Sequence, residues 1–137
     1  MTTFIDTNIL IAILKKSEAI HDWAVKELEA RKKEGPAIVS DIVYSEVSVS
    51  MEDVSKVNAF IAELGLERYP TNDDALFRAG RAYQQYRKNK GERTGTLPDF
   101  FIGAIAEVEA APIMTNDVAR YQTYFPNVSL ICPPEAA

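Results

Sequence analysis

The amino-acid sequence predicts an α/β fold built on a mostly parallel sheet of about five strands. Three observations carry this prediction. Short apolar segments alternate along the chain with longer segments in which apolar residues recur every three or four positions. Glycine, proline and helix-capping residues separate the two kinds of segment. Strands that alternate with helices pair in parallel, because each helix carries the chain back to the edge where the next strand begins.

The first half of the chain predicts three short strands joined by helices. Brief apolar runs indicate the strands, and helical spacing of apolar residues indicates the helices. Ser or acidic residues mark helix starts, and glycine marks helix ends. In chain order the elements are a strand at 4–5, a helix over 9–14, a polar helix from Ser17 to Gly35, a strand at 37–39, a helix capped by Ser40, a helix opened by Asp53 and ended by Gly65, and a strand at 66–69.

The second half continues the alternation with two more strands. A long helix is expected to begin at Asn72, run to about Asn89 and stop at Gly91. After a loop over 94–97, Pro98 and Asp99 open an apolar helix at first-turn positions that suit both residue types. The remaining elements are a break of that helix at Pro112, a strand at 113–115, a short helix over 117–125, a turn at 126–127 and a last strand at 128–131.

Length and composition limit the class of protein. The 137 residues suit one domain, which we expect at 1–132, followed by a tail at 133–137. The longest apolar run, 100–106, is far shorter than the ~20 residues that cross a bilayer. A single cysteine, Cys132, and an N-terminus without a basic segment predict a cytoplasmic protein. The net charge of −5 argues against a protein that holds nucleic acid by bulk charge alone.

Four acidic residues are expected to meet at one edge of the sheet. Asp6 follows the first strand, Asp117 lies just beyond the fourth, and Glu46 lies ~9 Å along the helix after the second. Asp99 opens the helix that leads into the fourth strand, so that it starts at the same edge. Crowded carboxylates repel one another, and a bound cation relieves the repulsion. Oxygen ligands select hard ions, so the sequence predicts Mg²⁺, with Mn²⁺ as a possible substitute.

Each acid taken singly also has a purely structural interpretation. Asp117 can cap a helix, Asp99 can complement a helix dipole, Asp6 can form an Asx turn, and Glu46 can be a solvated helix residue. Their joint placement favours a site. Without these four, the chain has 15 basic residues against 16 acidic ones, so much of its excess negative charge lies in the candidate site.

The segments that carry these acids resemble the PIN domain, and their spacing is similar to that of VapC-like toxin ribonucleases of type II toxin–antitoxin pairs. The matching segments are FIDTNIL at 4–10, SE at 45–46, LPDFFIGA at 97–104 and TND at 115–117. The resemblance implies a Rossmann-like three-layer sandwich with sheet order 3-2-1-4-5. It further implies a catalytic metal site formed by Asp6, Glu46, Asp99 and Asp117, with Asn8 and Thr115 as supporting residues.

The same resemblance implies a Mg²⁺-dependent endoribonuclease that is neutralised by a cognate antitoxin and forms a homodimer. We expect the metal ions to activate water and to stabilise the charge that develops on the phosphate. RNA contact is expected from a basic segment at 78–93, in which Tyr83 or Tyr86 stacks a base. The residues expected to hold phosphates there are Arg87, Lys88, Lys90 and Arg93. The alternative is a solvated face that complements the helix dipole.

Three other functions remain open at this point. A phosphohydrolase would use Asp6 as a covalent nucleophile, but such enzymes usually need a second Asp two residues later, where this chain has Asn8. A PIN-like module that binds RNA or protein without cleavage would lack at least one acid, and none is missing. A PIN-like nuclease that processes RNA outside any toxin system would share the same chemistry.

Overall fold

In a computed structural model, which describes residues 1–89 and 97–134, twelve helices and strands alternate along the chain. The strands are β1 (Thr3–Ile5), β2 (Ala37–Ser40), β3 (Glu67–Tyr69), β4 (Ile113–Met114) and β5 (Leu130–Ile131). The helices are α1 (Thr7–Leu14), α2 (His21–Glu34), α3 (Asp41–Ser48), α4 (Val54–Glu63), α5 (Asp73–Lys88), α6 (Leu97–Val108) and α7 (Val118–Gln122). The predicted α/β class is confirmed.

The five strands form one parallel sheet in the order β3-β2-β1-β4-β5. The predicted strand order is therefore confirmed. β1 is central, and all three of its residues are buried between β2 and β4. The chain moves from β1 towards β2 and β3 on one side, and then returns to β4 and β5 on the other. In sheets of this kind, the crevice between the two oppositely directed halves is where ligands bind.

Capping side chains explain why most helices begin directly after a strand or turn. Each cap accepts a hydrogen bond from a backbone N–H in the first turn, which would otherwise lack a partner. Ser40 caps α3 by accepting from Val43 N at 3.4 Å, and Asn72 caps α5 by accepting from Ala75 N at 2.8 Å. Asp53 caps α4. These three helix starts were predicted from the sequence.

Helices α2 and α6 have boundaries that differ from the prediction. α2 begins at His21 rather than Ser17, because the preceding residues form a turn in which Glu18 N donates to Lys15 O at 3.0 Å. α6 ends at Val108, before Pro112 is reached. It ends in a left-handed turn at Ala110, whose φ is 53°, with Ala111 N donating back to Ala106 O at 2.9 Å.

Three other predicted elements are shorter than expected, and some predicted features lie outside the described residues. The predicted strands at 113–115 and 128–131 are each shortened to two residues, and the short helix covers only Val118–Gln122. The predicted helix stop at Gly91 and the loop over 94–96 lie outside the described residues. Pro133 is buried, and 135–137 lie outside the described residues, so the boundary at 132 remains our proposal.

Helix α6 is the most deeply buried helix around the candidate site. Phe100, Ile102 and Ile105 are at most 3% exposed, and the helix packs against α5. Gly103 allows the ring of Phe125 to approach the backbone, since a Cβ there would lie 2.3 Å from the Phe125 Cδ2 atom. Within the part of the chain that the structure describes, no helix has both the length and the apolar character needed to cross a membrane.

The two helical glycines Gly103 and Gly80 offer a direct test of this packing. Gly103→Ala should lower the free energy of unfolding by about 1–3 kcal/mol, because the buried Phe125 ring has to move. Gly80→Ala is the matched control, since its added methyl group meets no atom within 4 Å. It should raise stability by about 0.5–1 kcal/mol through helix propensity. Urea unfolding of both variants measures the difference, and equal effects would contradict the packing argument.

Candidate active site

Asp6 is the most buried acid of the candidate site. It directly follows β1, caps α1 and is 0% exposed. Its Oδ1 atom accepts from Thr7 N at 2.7 Å. Its Oδ2 atom accepts from the Thr115 hydroxyl at 2.8 Å, from the Tyr121 hydroxyl at 2.8 Å and from Asn8 Nδ2 at 3.3 Å. These bonds hold the carboxylate in one orientation at the carboxyl end of the central strand.

Thr115 and Asn8, the two predicted supporting residues, connect the ends of β1 and β4. The Thr115 hydroxyl donates to Asp6 and accepts from Asp117 N at 3.0 Å. Asn8 Oδ1 accepts from Asn116 N at 2.9 Å. One hydroxyl and one amide therefore set the position of Asp117 relative to Asp6, although more than 100 residues separate the two strands.

Three aspartates converge on the guanidinium of Arg120. Arg120 Nη1 lies 3.6 Å from Asp6 Oδ2, and Arg120 Nε lies 3.2 Å from Asp99 Oδ1 and 3.3 Å from Asp117 Oδ2. Asp99 reaches this point from the first turn of α6, and Asp117 reaches it as the cap of α7. The three acids come from different elements, as the sequence predicted, but the arginine between them was not predicted.

Burial and charge act in opposite directions in this cluster. Burial raises the pKa of the Asp6 carboxyl above its usual value, while its hydrogen bonds and the Arg120 charge partly offset that effect. Burial alone would lower the pKa of Arg120, but the carboxylates of Asp6 and Asp99 outweigh it and raise that pKa. Burial, and then the Asp6 charge, hold the pKa of Tyr121 well above its usual value, so its hydroxyl stays protonated and donates.

Glu46, the fourth predicted acid, lies to one side of the three aspartates. Its Oε1 atom accepts from the Thr7 hydroxyl at 2.6 Å. Thr7 directly follows Asp6, so this bond ties α3 to the start of α1 beside the cluster. Glu46 lines a cleft of about 320 Å³ together with Asn8 and Arg120. Glu46 therefore lies at the same edge of the sheet, in a cleft that Arg120 also lines.

The aspartates fit a hard divalent cation in their chemistry. Their present arrangement is not that of a metal site. Within residues 1–89 and 97–134, no three acidic, histidine or cysteine residues are grouped closely enough to hold a metal. The Arg120 guanidinium stands between the carboxylates, where it supplies the positive charge that a metal ion would supply. An all-oxygen donor set of this kind suits Mg²⁺ or Mn²⁺ once the guanidinium moves aside.

A comparison with known protein families assigns the chain to one of them. A family model described as the PIN domain matches residues 3–126. The chain belongs to the PIN domain family. No curated protein matches it in sequence.

Solved structures share the fold of this PIN domain at low sequence identity. One is VapBC2 from Rickettsia felis bound to a DNA fragment from its promoter, with 21% identity, a TM-score of 0.72 and coverage of 95% of this chain and 97% of that one. A toxin–antitoxin complex from Klebsiella pneumoniae has 24% identity, a TM-score of 0.65 and coverage of 92% and 94%. The sarcin–ricin loop cleaving toxin VapC20 from Mycobacterium tuberculosis has 17% identity, a TM-score of 0.57 and coverage of 80% and 84%.

Sequence reasoning missed Arg120 and Tyr121 of this PIN domain. Both lie on α7, three and four residues after Asp117. Residues at those spacings share one face of a helix, so the prediction that Asp117 faces the site also places these two side chains towards it. This helical periodicity is the feature of the sequence that points to both residues.

The structure describes only part of the predicted basic segment. Arg87 and Lys88 are exposed at the end of α5, whereas Lys90 and Arg93 lie outside the described residues. Arg78 is held by ion pairing with Glu107 and donates from Nη2 to the Tyr124 carbonyl at 2.9 Å. Arg78 therefore serves packing between α5 and α6, and does not add to a phosphate-binding surface.

Replacing Arg120 tests whether its charge stands in for a metal ion. Arg120→Ala should lower the metal-free stability by about 1–3 kcal/mol, because three partly buried carboxylates lose their counter-charge. Mn²⁺ should then raise the Tm of the variant by more than it raises that of the wild type, because no guanidinium has to be displaced. Arg31→Ala is the matched control, since Arg31 pairs with two glutamates on α2. The same Mn²⁺ shift in both variants would contradict this role.

Proposed function

We propose that this PIN domain is a metal-dependent endoribonuclease that hydrolyses RNA phosphodiester bonds. One observation carries the proposal: three aspartates from three separate elements surround one cationic group at the crevice between β1 and β4. The solved relative VapC20, which shares the fold, is described as a toxin that cleaves the sarcin–ricin loop. Membership of the PIN family supports the same class of chemistry.

Each residue of the cluster has a distinct part in the proposed reaction. Asp6, Asp99 and Asp117 would hold Mg²⁺, with Mn²⁺ as a substitute, and a bound ion supplies activation of water and neutralisation of phosphate charge. The hydroxyls of Thr115 and Tyr121 keep Asp6 oriented. Glu46, across the cleft, would complete the ligand set and accept a proton from the attacking water.

Arg120 would contribute to substrate binding in the same proposal. It lines the clefts on both sides of the aspartates and keeps its positive charge. A guanidinium matches the geometry of phosphate oxygens and can donate two hydrogen bonds to them. Once a metal ion takes over the aspartates, Arg120 is placed to pair with a phosphate that enters either cleft.

The burial of Asp6 weighs against the phosphohydrolase alternative. A covalent nucleophile needs a carboxylate oxygen that the substrate can reach. Asp6 is 0% exposed, and both of its oxygens accept hydrogen bonds from protein groups. Asp6 is therefore held as a fixed acid. Its Oδ2 atom lies 3.6 Å from Arg120 Nη1, a cationic position that a metal ion would take in our proposal, so hydrolysis by water fits the site better than a phospho-aspartate.

We further propose a cytoplasmic toxin that pairs with a cognate antitoxin and forms a homodimer. Structures from Rickettsia felis and Klebsiella pneumoniae with the same fold are toxin–antitoxin assemblies, which supports this role. A neighbouring reading frame that encodes a small DNA-binding protein would support the toxin role, and growth arrest on expression that this partner relieves would test it. Sedimentation of the purified chain tests the homodimer.

Asp99→Asn tests the chemistry most cleanly. Asp6 is less suitable, because an amide there would disturb four hydrogen bonds and with them the fold. Asp99→Asn should lower RNA cleavage by roughly 100-fold or more, since the carboxylate charge is lost, while the thermal transition changes little. Asp74→Asn, at an exposed position of α5, is the matched control and should cleave normally. Cleavage that persists in EDTA would contradict the proposal.

Charge reversal of Arg87 and Lys88 tests the exposed basic end of α5. The double change to Glu should weaken binding of single-stranded RNA and reduce the salt dependence of log K by up to about 1.4, because two phosphate contacts are lost. Charge reversal of Lys26 and Lys33, two exposed lysines on α2, controls for net charge. An unchanged salt slope at the α5 positions would exclude this surface from RNA binding.

A further inference from the structure

An aromatic pocket of about 230 Å³ opens next to the acid cluster and is separate from the cleft that Glu46 lines. Its walls include the rings of Tyr86, Phe100, Tyr124 and Phe125. Its volume is below that of most pockets for drug-sized ligands, which are about 300–1,000 Å³. The pocket therefore suits one planar group of limited size.

The rings meet at angles that leave a corner rather than a closed stack. Tyr86 and Phe100 have centroids 5.3 Å apart with an interplanar angle of 55°. Tyr124 meets Tyr86 at 6.0 Å and 76°, and it meets Phe100 at 5.5 Å and 63°. These three rings are already in contact with one another, so a flat ligand has to pack against the open side of the cluster, where it can meet the face of one ring and the edge of another.

Two of the four rings are buried in the core as well as lining the pocket, and the other two are half-buried at its wall. Phe100 and Phe125 are at most 3% exposed, so the interior of the fold accounts for them. Tyr86 and Tyr124 are half-buried at the pocket wall. Tyr83, which the sequence also suggested for base stacking, packs against Tyr86 at 5.7 Å and does not line this pocket.

The pocket is continuous with the proposed phosphate site. Asp99, Asp117 and Arg120 line it together with the aromatic rings, and Arg120 also lines the cleft that contains Glu46. The cleft on the Glu46 side has polar walls that include Thr7, Asn8 and Asn116. A ligand that crosses the aspartates therefore meets an aromatic surface on one side and a polar surface on the other.

We propose that the aromatic pocket binds the base of a nucleotide adjoining the phosphodiester that is cut, packed against the rings of Tyr86 and Tyr124. This inference rests on the proposed nuclease function and adds a base-binding site to it. A nucleobase is flat, matches the size of the pocket and is joined to the phosphate by the ribose, so that one nucleotide spans the rings and the aspartates. Stacking is tolerant of sequence but requires a base at that position.

A double-mutant cycle between protein and RNA tests the pocket. The probes are single-stranded RNA pentanucleotides, intact or with one abasic residue at each position in turn. Binding is measured by fluorescence anisotropy with Mn²⁺ in a Glu46→Gln background, which leaves the pocket intact and limits cleavage. Cleavage of the same RNAs is measured with the protein that retains Glu46. Tyr86→Leu and Tyr124→Leu remove one ring each, and Tyr124→Phe keeps the ring.

Removal of one particular base should weaken binding by about 5- to 100-fold in the Glu46→Gln protein, as expected for a base stacked on an aromatic ring. That loss should largely disappear in Tyr86→Leu or Tyr124→Leu and should persist in Tyr124→Phe. Phe77→Leu, an exposed ring on α5 outside this pocket, controls for general loss of aromatic surface and should leave the base dependence unchanged.

The outcomes separate this inference from the nuclease proposal. An equal loss of RNA affinity at every abasic position, or the same loss with and without the tyrosine rings, would overturn the base pocket. Cleavage by the wild type would still support the nuclease proposal in that case. A second outcome is that binding depends on one base only when the tyrosine rings are present, while the protein that retains Glu46 cuts no RNA. This outcome would support the pocket as a base site and overturn the nuclease function.

Discussion

The parallel pairing of β1 with β4 is the constraint on which the candidate site depends. Because both strands end at the same edge, Asp6 and Thr115 come together, and the Thr115 hydroxyl bonds to both Asp6 and the backbone of Asp117. Helix α7 then starts beside Asp6, which places Arg120 among the carboxylates. If β4 were paired elsewhere in the sheet, no local feature of the sequence would bring these groups into contact.

The carboxylates at this edge of the sheet oppose one another electrostatically. Three carboxylates gathered in a partly buried crevice repel one another, and burial alone disfavours the charge on Asp6. The fold offsets the conflict with a buried tyrosine hydroxyl, a threonine hydroxyl and one guanidinium. Because a guanidinium offsets the repulsion among these carboxylates, a divalent cation can also stabilise them. Arg120 therefore supplies in this structure the positive charge that a metal ion would supply in the proposed reaction.

The surroundings of the aspartates give the site two unlike sides. Glu46 and several amide or hydroxyl groups border one cleft, whereas aromatic rings border the other pocket. Arg120 lines both. A nucleic-acid strand has the same two kinds of group, since its phosphates and riboses are polar and its bases are flat and apolar on their faces. The proposed substrate therefore matches the asymmetry of the site as well as its charge.

The sequence by itself determined the α/β alternation and most helix starts, because strand length, helix periodicity and caps such as Ser40 and Asn72 depend on neighbours along the chain. The approach of the three aspartates could be predicted from that alternation, because parallel strands end at one edge of the sheet. The sequence pattern did not determine that α2 starts at His21, where a local backbone turn with Glu18 N bonded to Lys15 O precedes the helix in place of the expected start at Ser17. Only the tertiary structure decided that Arg120 lies between the acids and that aromatic side chains of α5 and α6 form a pocket with Tyr124. Those contacts depend on which strands pair and how helices pack across long separations in sequence. The local pattern that puts Arg120 on the Asp117 face of α7 does not by itself specify them.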